Sequence, residues 1–166
     1  MASLIAHDAE RGARLVADDP WIHLAEGAAP PPAGDVVVPL ERLADLTDVP
    51  GRLGVRVDGS VDPEALAPHL GRLDLVVVEL PKFTDGRAYS LARLLRDRHG
   101  YTGSLRAVGG VLRDQLFYLW RCGFDSFELA EGKDVDDALA AFRDFSVTYQ
   151  PAEDHDPEVK ARRQTL

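Results

Sequence analysis

The chain has 166 residues and a mass of 18.2 kDa, the size of one ordinary domain. Twenty-eight acidic residues outnumber nineteen Lys and Arg, a formal charge of −9 that speaks against non-specific nucleic-acid binding. One cysteine, Cys122, excludes an intrachain disulfide framework, and the longest apolar run, Leu75–Leu80, is interrupted by Glu79 and far too short to cross a bilayer.

The first residues lack the long apolar core of a secretory signal, so a cytoplasmic protein is expected. Residues 1–34 read as an irregular arm. Trp21, Ile22 and Leu24 form a short apolar patch, and Pro30, Pro31 and Pro32 make the following spacer a stiff, extended connector. From Asp35 the pattern changes to that of an α/β domain running to about residue 150. Val36–Val38 is a β-branched run, followed by Leu40, Leu43, Ala44 and Leu46 at helical spacing.

Gly54–Val57 is a short strand, and Asp62–Pro63 then supplies a helix cap with proline at the first helical position. Pro68 kinks or restarts that helix. Leu75–Leu80 has the unbroken apolar character of a strand buried on both faces of a parallel sheet. A helix follows with Ala88, Leu91, Ala92 and Leu95 inward, and Gly100 stands where a C-terminal glycine cap belongs. Leu105–Gly109 is the next strand, then a helix presenting Leu116, Leu119 and Trp120. Ser126–Leu129 is the last strand, and Asp134 caps a final helix carrying Val135, Ala138, Leu139, Phe142 and Phe145. Residues 151–166 form a polar tail.

This βαβαβαβα order predicts a single α/β domain. Its sheet is expected to be open and parallel, with four to five strands covered by helices, Val36–Val38 being the fifth. A full eight-fold barrel needs roughly 200 residues or more, and an open sheet is preferred to a half-barrel completed by a second chain.

Ligands in open α/β sheets bind beyond the carboxyl ends of the strands. The post-strand loops hold Asp58; then Glu79, Lys82, Asp85 and Arg87; then Arg113, Asp114 and Gln115; then Glu131. Between Pro81 and Gly123, eight basic residues face three acidic ones, so this segment is net +5 inside an acidic chain. Arg87 and Arg113 are best placed to fork onto sulfate, phosphate or carboxylate. Structural roles compete with that reading. Asp62, Asp85, Asp114 and Asp134 each precede a helix as caps, Arg93, Arg96 and Arg98 fall on a solvated helix face, and Glu79 pairs with a nearby arginine. Cys122 reads as a buried thiol, and Phe117, Tyr118 and Trp120 as core and interface. The five histidines show no ligand spacing, and no nucleotide, dinucleotide or nucleophile-elbow motif is present. Neither a cofactor nor a metal is expected.

The stretch ELPKFTDGRAYSLARLLRDRHGYTGSLRAVGGVLRDQLFYLWRCGFDSFEL, Glu79 to Leu129, resembles the bacterial domain of unknown function 934 family. Its blocks are similar to E-[FL]-P-K-F-T-D-G-R-x-Y-S-x-A-R-L-L-R, G-Y-x-G-x-L-R-A-x-G, V-L-R-D-Q and R-x-G-F-D-x-F. Members are labelled probable oxidoreductases and are typically encoded beside assimilatory sulfite reductase. The resemblance therefore implies a role in sulfate or sulfite assimilation and a shared surface containing Lys82, Thr84, Asp85, Gly86, Arg87, Tyr89, Arg113, Asp114 and Gln115. Two functions are expected from it. One is an accessory protein that docks sulfite reductase or its electron donor through a basic strand-end face. The other is a small enzyme, an oxidoreductase by family label, acting on an anionic sulfur metabolite, with Arg87 and Arg113 holding the anion and Glu79, Lys82 or Asp114 moving protons. No nucleic-acid or membrane partner is expected, and a homo-oligomer is left open.

Overall fold

The computed structural model describes residues 3–46, 49–80 and 85–145 together with Ala152. Lys82 and Thr84, and all of the polar tail except Ala152, lie outside the described residues.

Eight strands form one sheet: β1 (Leu4–Asp8), β2 (Gly12–Val16), β3 (Trp21–His23), β4 (Asp35–Pro39), β5 (Leu53–Asp58), β6 (Leu75–Glu79), β7 (Ser104–Val111) and β8 (Ser126–Leu129). Their order across the sheet is β2-β1-β8-β7-β6-β5-β4-β3. From β3 to β8 the neighbours are parallel, whereas β1 runs antiparallel to both β2 and β8. The helices are α1 (Pro63–Leu66), α2 (Arg87–Asp97), α3 (Arg113–Arg121) and α4 (Val135–Ala141).

The expectation of an open parallel sheet of four to five strands with an irregular arm is thereby corrected. The supposed arm supplies β1, β2 and β3, which take both edges of an eight-stranded mixed sheet. The β1–β2 hairpin forms because the Asp8 carboxylate accepts from the amides of Glu10 (3.1 Å) and Arg11 (2.7 Å) while Gly12 takes a φ of 67°.

The sheet is also strongly curled. Laid flat, eight strands would separate β2 from β3 by about 33 Å. Yet only residues 17–20 join Val16 to Trp21, a connection that reaches at most about 18 Å. The edges therefore curve toward each other, and the connector crosses the inner face, where Asp19 makes a bidentate pair with Arg106 of β7 at 2.6 and 3.0 Å.

Successive parallel strands advance in one direction, so the right-handed crossovers place α1, α2 and α3 on the outer face, and α4 packs there beside α3. Strand alternation then divides the core in two. Val36, Val38, Val55, Val76, Val78 and Phe127 pack outward against the helices, whereas Val37, Leu75, Val77 and Val108 form a smaller inner cluster against which Trp21 packs. The Leu75–Leu80 run is thus buried on both sides of the sheet, as its composition requires.

The helix ends follow local chemistry. Asp62 caps α1 by accepting from Glu64, and a 3₁₀ segment over Ala67–Arg72 replaces the helix at Pro68. Asp134 caps α4, accepting from Asp136 at 2.8 Å and Asp137 at 3.1 Å. Asp114 is no cap. It lies exposed within the first turn of α3, and the Gln115 side chain instead reaches back to accept from Leu112 N at 3.0 Å. Asp85 stands just before the first residue flanking α2 and still accepts from Arg87 N at 3.1 Å.

Candidate functional site

The carboxyl ends of β3 to β6 open onto a cavity of about 420 Å³. Its polar lining is His23, Glu41, Arg56, Asp58, Ser60 and Glu79, and Leu24, Val38, Leu40 and Val61 provide an apolar wall. Sheet register brings these groups together. Pro39 lies opposite Arg56, and Asp58 opposite Glu79, so charges from consecutive strands converge at one rim. Arg56 Nη2 and Nε donate to the same oxygen, Glu79 Oε2, at 3.1 and 3.3 Å. The arginine partner expected for Glu79 is therefore Arg56, which sits within the strand. Alternation in GVRVD gives the signal for it, since Arg56 must face away from the outward-packed Val55 and Val57.

Asp58 turns its carboxylate onto the amide and hydroxyl of Ser60, which hold it below the usual carboxylate range. Desolvation, reinforced by the Arg106 and Arg56 charges, lowers the His23 imidazole below its ordinary value, so it is neutral at physiological pH. Neither His23 nor Arg56 was among the residues expected to form a site.

The expected site residues do not form one pocket. Arg87 closes back on Asp85, with Nε–Oδ1 at 2.9 Å and Nη2–Oδ2 at 2.6 Å, and Asp58 adds a further attraction that keeps the guanidinium charged. Arg113 bridges to α4 and its following turn. It donates to Asp137 at 2.9 Å and to both oxygens of Asp144 at 2.7 and 3.0 Å. Those carboxylates raise its affinity for the proton still further, and it in turn pulls Asp144 down. Gln115 is buried and donates to the Tyr89 hydroxyl at 3.2 Å, tying α3 to α2. Among the described residues the ion pairs of Arg87 and Arg113 have no member in common, and neither arginine lines the cavity.

The basic segment is likewise not one surface. Arg96 was expected on a solvated face, but its side chain is only 15 % exposed and its guanidinium binds backbone carbonyls of Tyr101, Gly103 and Gly123 at 2.7 to 3.0 Å. It completes its shell with Asp125 at 3.0 Å. Arg106 is 5 % exposed and taken by Asp19. Of this set Arg93 and Arg98 are the exposed members of α2 and its cap, as their spacing predicts.

Two glycines shape the rim. A Cβ on Gly109 would come within 2.7 Å of the Leu80 carbonyl, and one on Gly59 within 2.8 Å of the Ala88 amide. Their absence of side chains lets Leu80 lie against β7 and the start of α2 lie against the β5–α1 turn. Gly109 and Gly110 both have positive φ at an irregularity in the β7–β8 ladder, a bulge that bends the strand. Among the described residues, no cluster of three or more His, Cys, Asp or Glu is arranged to hold a metal, and no helix is long and apolar enough to cross a membrane.

No curated protein matches the chain. A family model described as "Bacterial protein of unknown function (DUF934)" matches residues 54–159, which include β5 but for its first residue, β6 to β8 and α1 to α4. On that match over more than half its length, the chain belongs to this bacterial DUF934 family.

Proposed function

We propose that the protein is a cytoplasmic accessory factor of sulfate and sulfite assimilation, recognising sulfite reductase or its electron donor through charged groups at the carboxyl ends of the strands. The pathway rests on the family resemblance, whose members are typically encoded beside the reductase. The observation that supports recognition is the state of the charges at this end of the molecule. Asp58 and Asp144 are held below the usual carboxylate range, while Arg87 and Arg113 are held above the ordinary arginine value. These groups keep full charge throughout the physiological range. Fixed charges of both signs suit a docking surface, where complementary patches set partner choice and encounter rate.

A clean deletion strain grown on sulfate, sulfite or sulfide as sole sulfur source tests the pathway. Rescue by sulfide and not by sulfite is expected, and equal growth on all three sources overturns the assignment. The surface is tested separately by binding of purified reductase and its electron donor to the Arg87→Glu, Arg113→Gln double variant. Weakened binding is expected at low salt, and wild-type affinity would remove these two arginines from the interface.

A further inference from the structure

The strand-end cavity has a chemistry of its own, and it differs from that of the Arg87 and Arg113 surface. It carries one guanidinium, Arg56, against three carboxylates, Glu41, Asp58 and Glu79. A small dianion such as sulfate would have to take Arg56 from Glu79, leave that carboxylate uncompensated and meet two more. A simple cation would suit the acids but would compete with Arg56 for Glu79. A ligand carrying both charges avoids both costs. Its carboxylate can take the Arg56 fork while its ammonium takes Glu79, so the pair opens without orphaning either member.

The rest of the cavity matches such a ligand. Among the described residues, the Arg56–Glu79 pair uses only Oε2 of the carboxylate and leaves Arg56 Nη1 without a protein partner. Both side chains are nearly half exposed, at 44 % and 42 %, so the pair opens at little desolvation cost. Leu24, Val38, Leu40 and Val61 form an apolar wall beside the charges, and His23, neutral in this setting, offers a hydrogen-bonding ring without adding charge. About 420 Å³ lies at the small end of the range for small-molecule sites.

We propose that this cavity, at the carboxyl ends of β3 to β6, binds a small zwitterionic α-amino acid with an apolar or thioether side chain, its carboxylate on Arg56 and its ammonium on Glu79. The site adjoins the partner surface at Asp58 but stands or falls without it, because it can be tested on the purified chain alone.

The test is calorimetric titration of the purified full chain with L-methionine and L-leucine. Each is compared with its amino alcohol, which lacks the carboxylate, with its deaminated acid, and with sulfite and sulfate. The expected result is saturable binding of at least one amino acid, and loss of about tenfold or more in affinity when either charge of that ligand is removed. Arg56→Gln and Glu79→Gln, near-isosteric changes at half-exposed positions, should each weaken binding of the intact amino acid by a similar factor with unchanged circular dichroism. In the wild-type protein the His23 ring resonances should shift on saturation, placing the ligand in this cavity. The inference is overturned if neither L-methionine nor L-leucine binds up to about 10 mM, if sulfite or sulfate binds more tightly, or if both variants bind as the wild type does.

Discussion

The two ends of the curled sheet use the same residue types for opposite purposes. At the amino ends of the parallel strands, Arg96 and Asp125 form a hub. Arg96 binds three backbone carbonyls, and Asp125, whose carboxyl is pushed up by burial, accepts from the Ser104 hydroxyl and from Leu105 N at 3.2 Å. This hub gathers the end of α2, the start of β7 and the approach to β8. At the carboxyl ends the arginines of the arginine–carboxylate pairs are far more exposed: Arg87 with its neighbour Asp85, Arg113 with Asp137 and Asp144, Arg56 with Glu79. A pair that satisfies buried backbone carbonyls is part of the fold. One that faces water can exchange its partner for a ligand, and the carboxyl end is where such exchange is available.

The sharpest way to break this contrast is Arg96→Met. It leaves Asp125 and several carbonyls without their cation and should cost about 3 kcal/mol in urea unfolding. A loss below about 1 kcal/mol would make the hub no different from a surface pair.

Asp19→Ala tests the inner face. It strands the buried Arg106 charge and frees the 17–20 connector, with an expected loss of about 2 kcal/mol and faster proteolysis between β2 and β3.

A smaller effect follows from pH. His7 lies against the Trp120 and Phe142 rings at 4.4 and 5.0 Å, its Nδ1 is buried without a partner among the described residues, and burial lowers its proton affinity. The unfolded chain therefore protonates first. The stability is complete above the ordinary value of 6.5 and declines as the pH falls from there toward the folded value. His7→Gln should flatten the stability profile between pH 7 and pH 5, leaving the share due to His23, which is lowered in the same direction.

At the other end, Arg87→Ala should change stability by less than about 0.5 kcal/mol, with the difference fading in high salt.

What the sequence discloses divides along similar physical lines. Elements that bury a regular apolar stripe are legible. Ala88, Leu91, Ala92 and Leu95 all turn inward, as do Leu116, Leu119, Ala138 and Phe142, while Phe145, expected on the same face, is 62 % exposed. Strands β4 to β8 are legible for the same reason, and Cys122 is buried as its surroundings suggest. Strands β1 to β3 are not: β2 and β3 are edge strands with one neighbour each and tolerate exposed positions such as Arg14, Leu15 and Ile22, while β1, held between β2 and β8, carries the polar His7 and Asp8 in its second half. The readable clue is the glycine closing LIAHD-AER-GARLV into a hairpin. The sheet's curl is illegible in local pattern altogether, since it follows from a connector only four residues long joining opposite edges. Charge is the least legible property. Arg93, Arg96 and Arg98 sit within six positions, yet only the middle one folds inward to satisfy carbonyls that sequence spacing does not reveal.

The pairing of β1 with β8 ties the beginning of the chain to a strand more than a hundred residues later. A fragment cut at the family boundary, residues 54–159, would lose β3 and β4 from one side of the sheet and β1 and β2 from the other. Both β5 and β8 would become raw edges with unmatched backbone groups, inviting chain-to-chain pairing. The unit that recurs by sequence is therefore smaller than the unit that folds. During synthesis the first hairpin must wait for β8 to emerge before it can dock, so this protein completes its sheet late and from both margins inward.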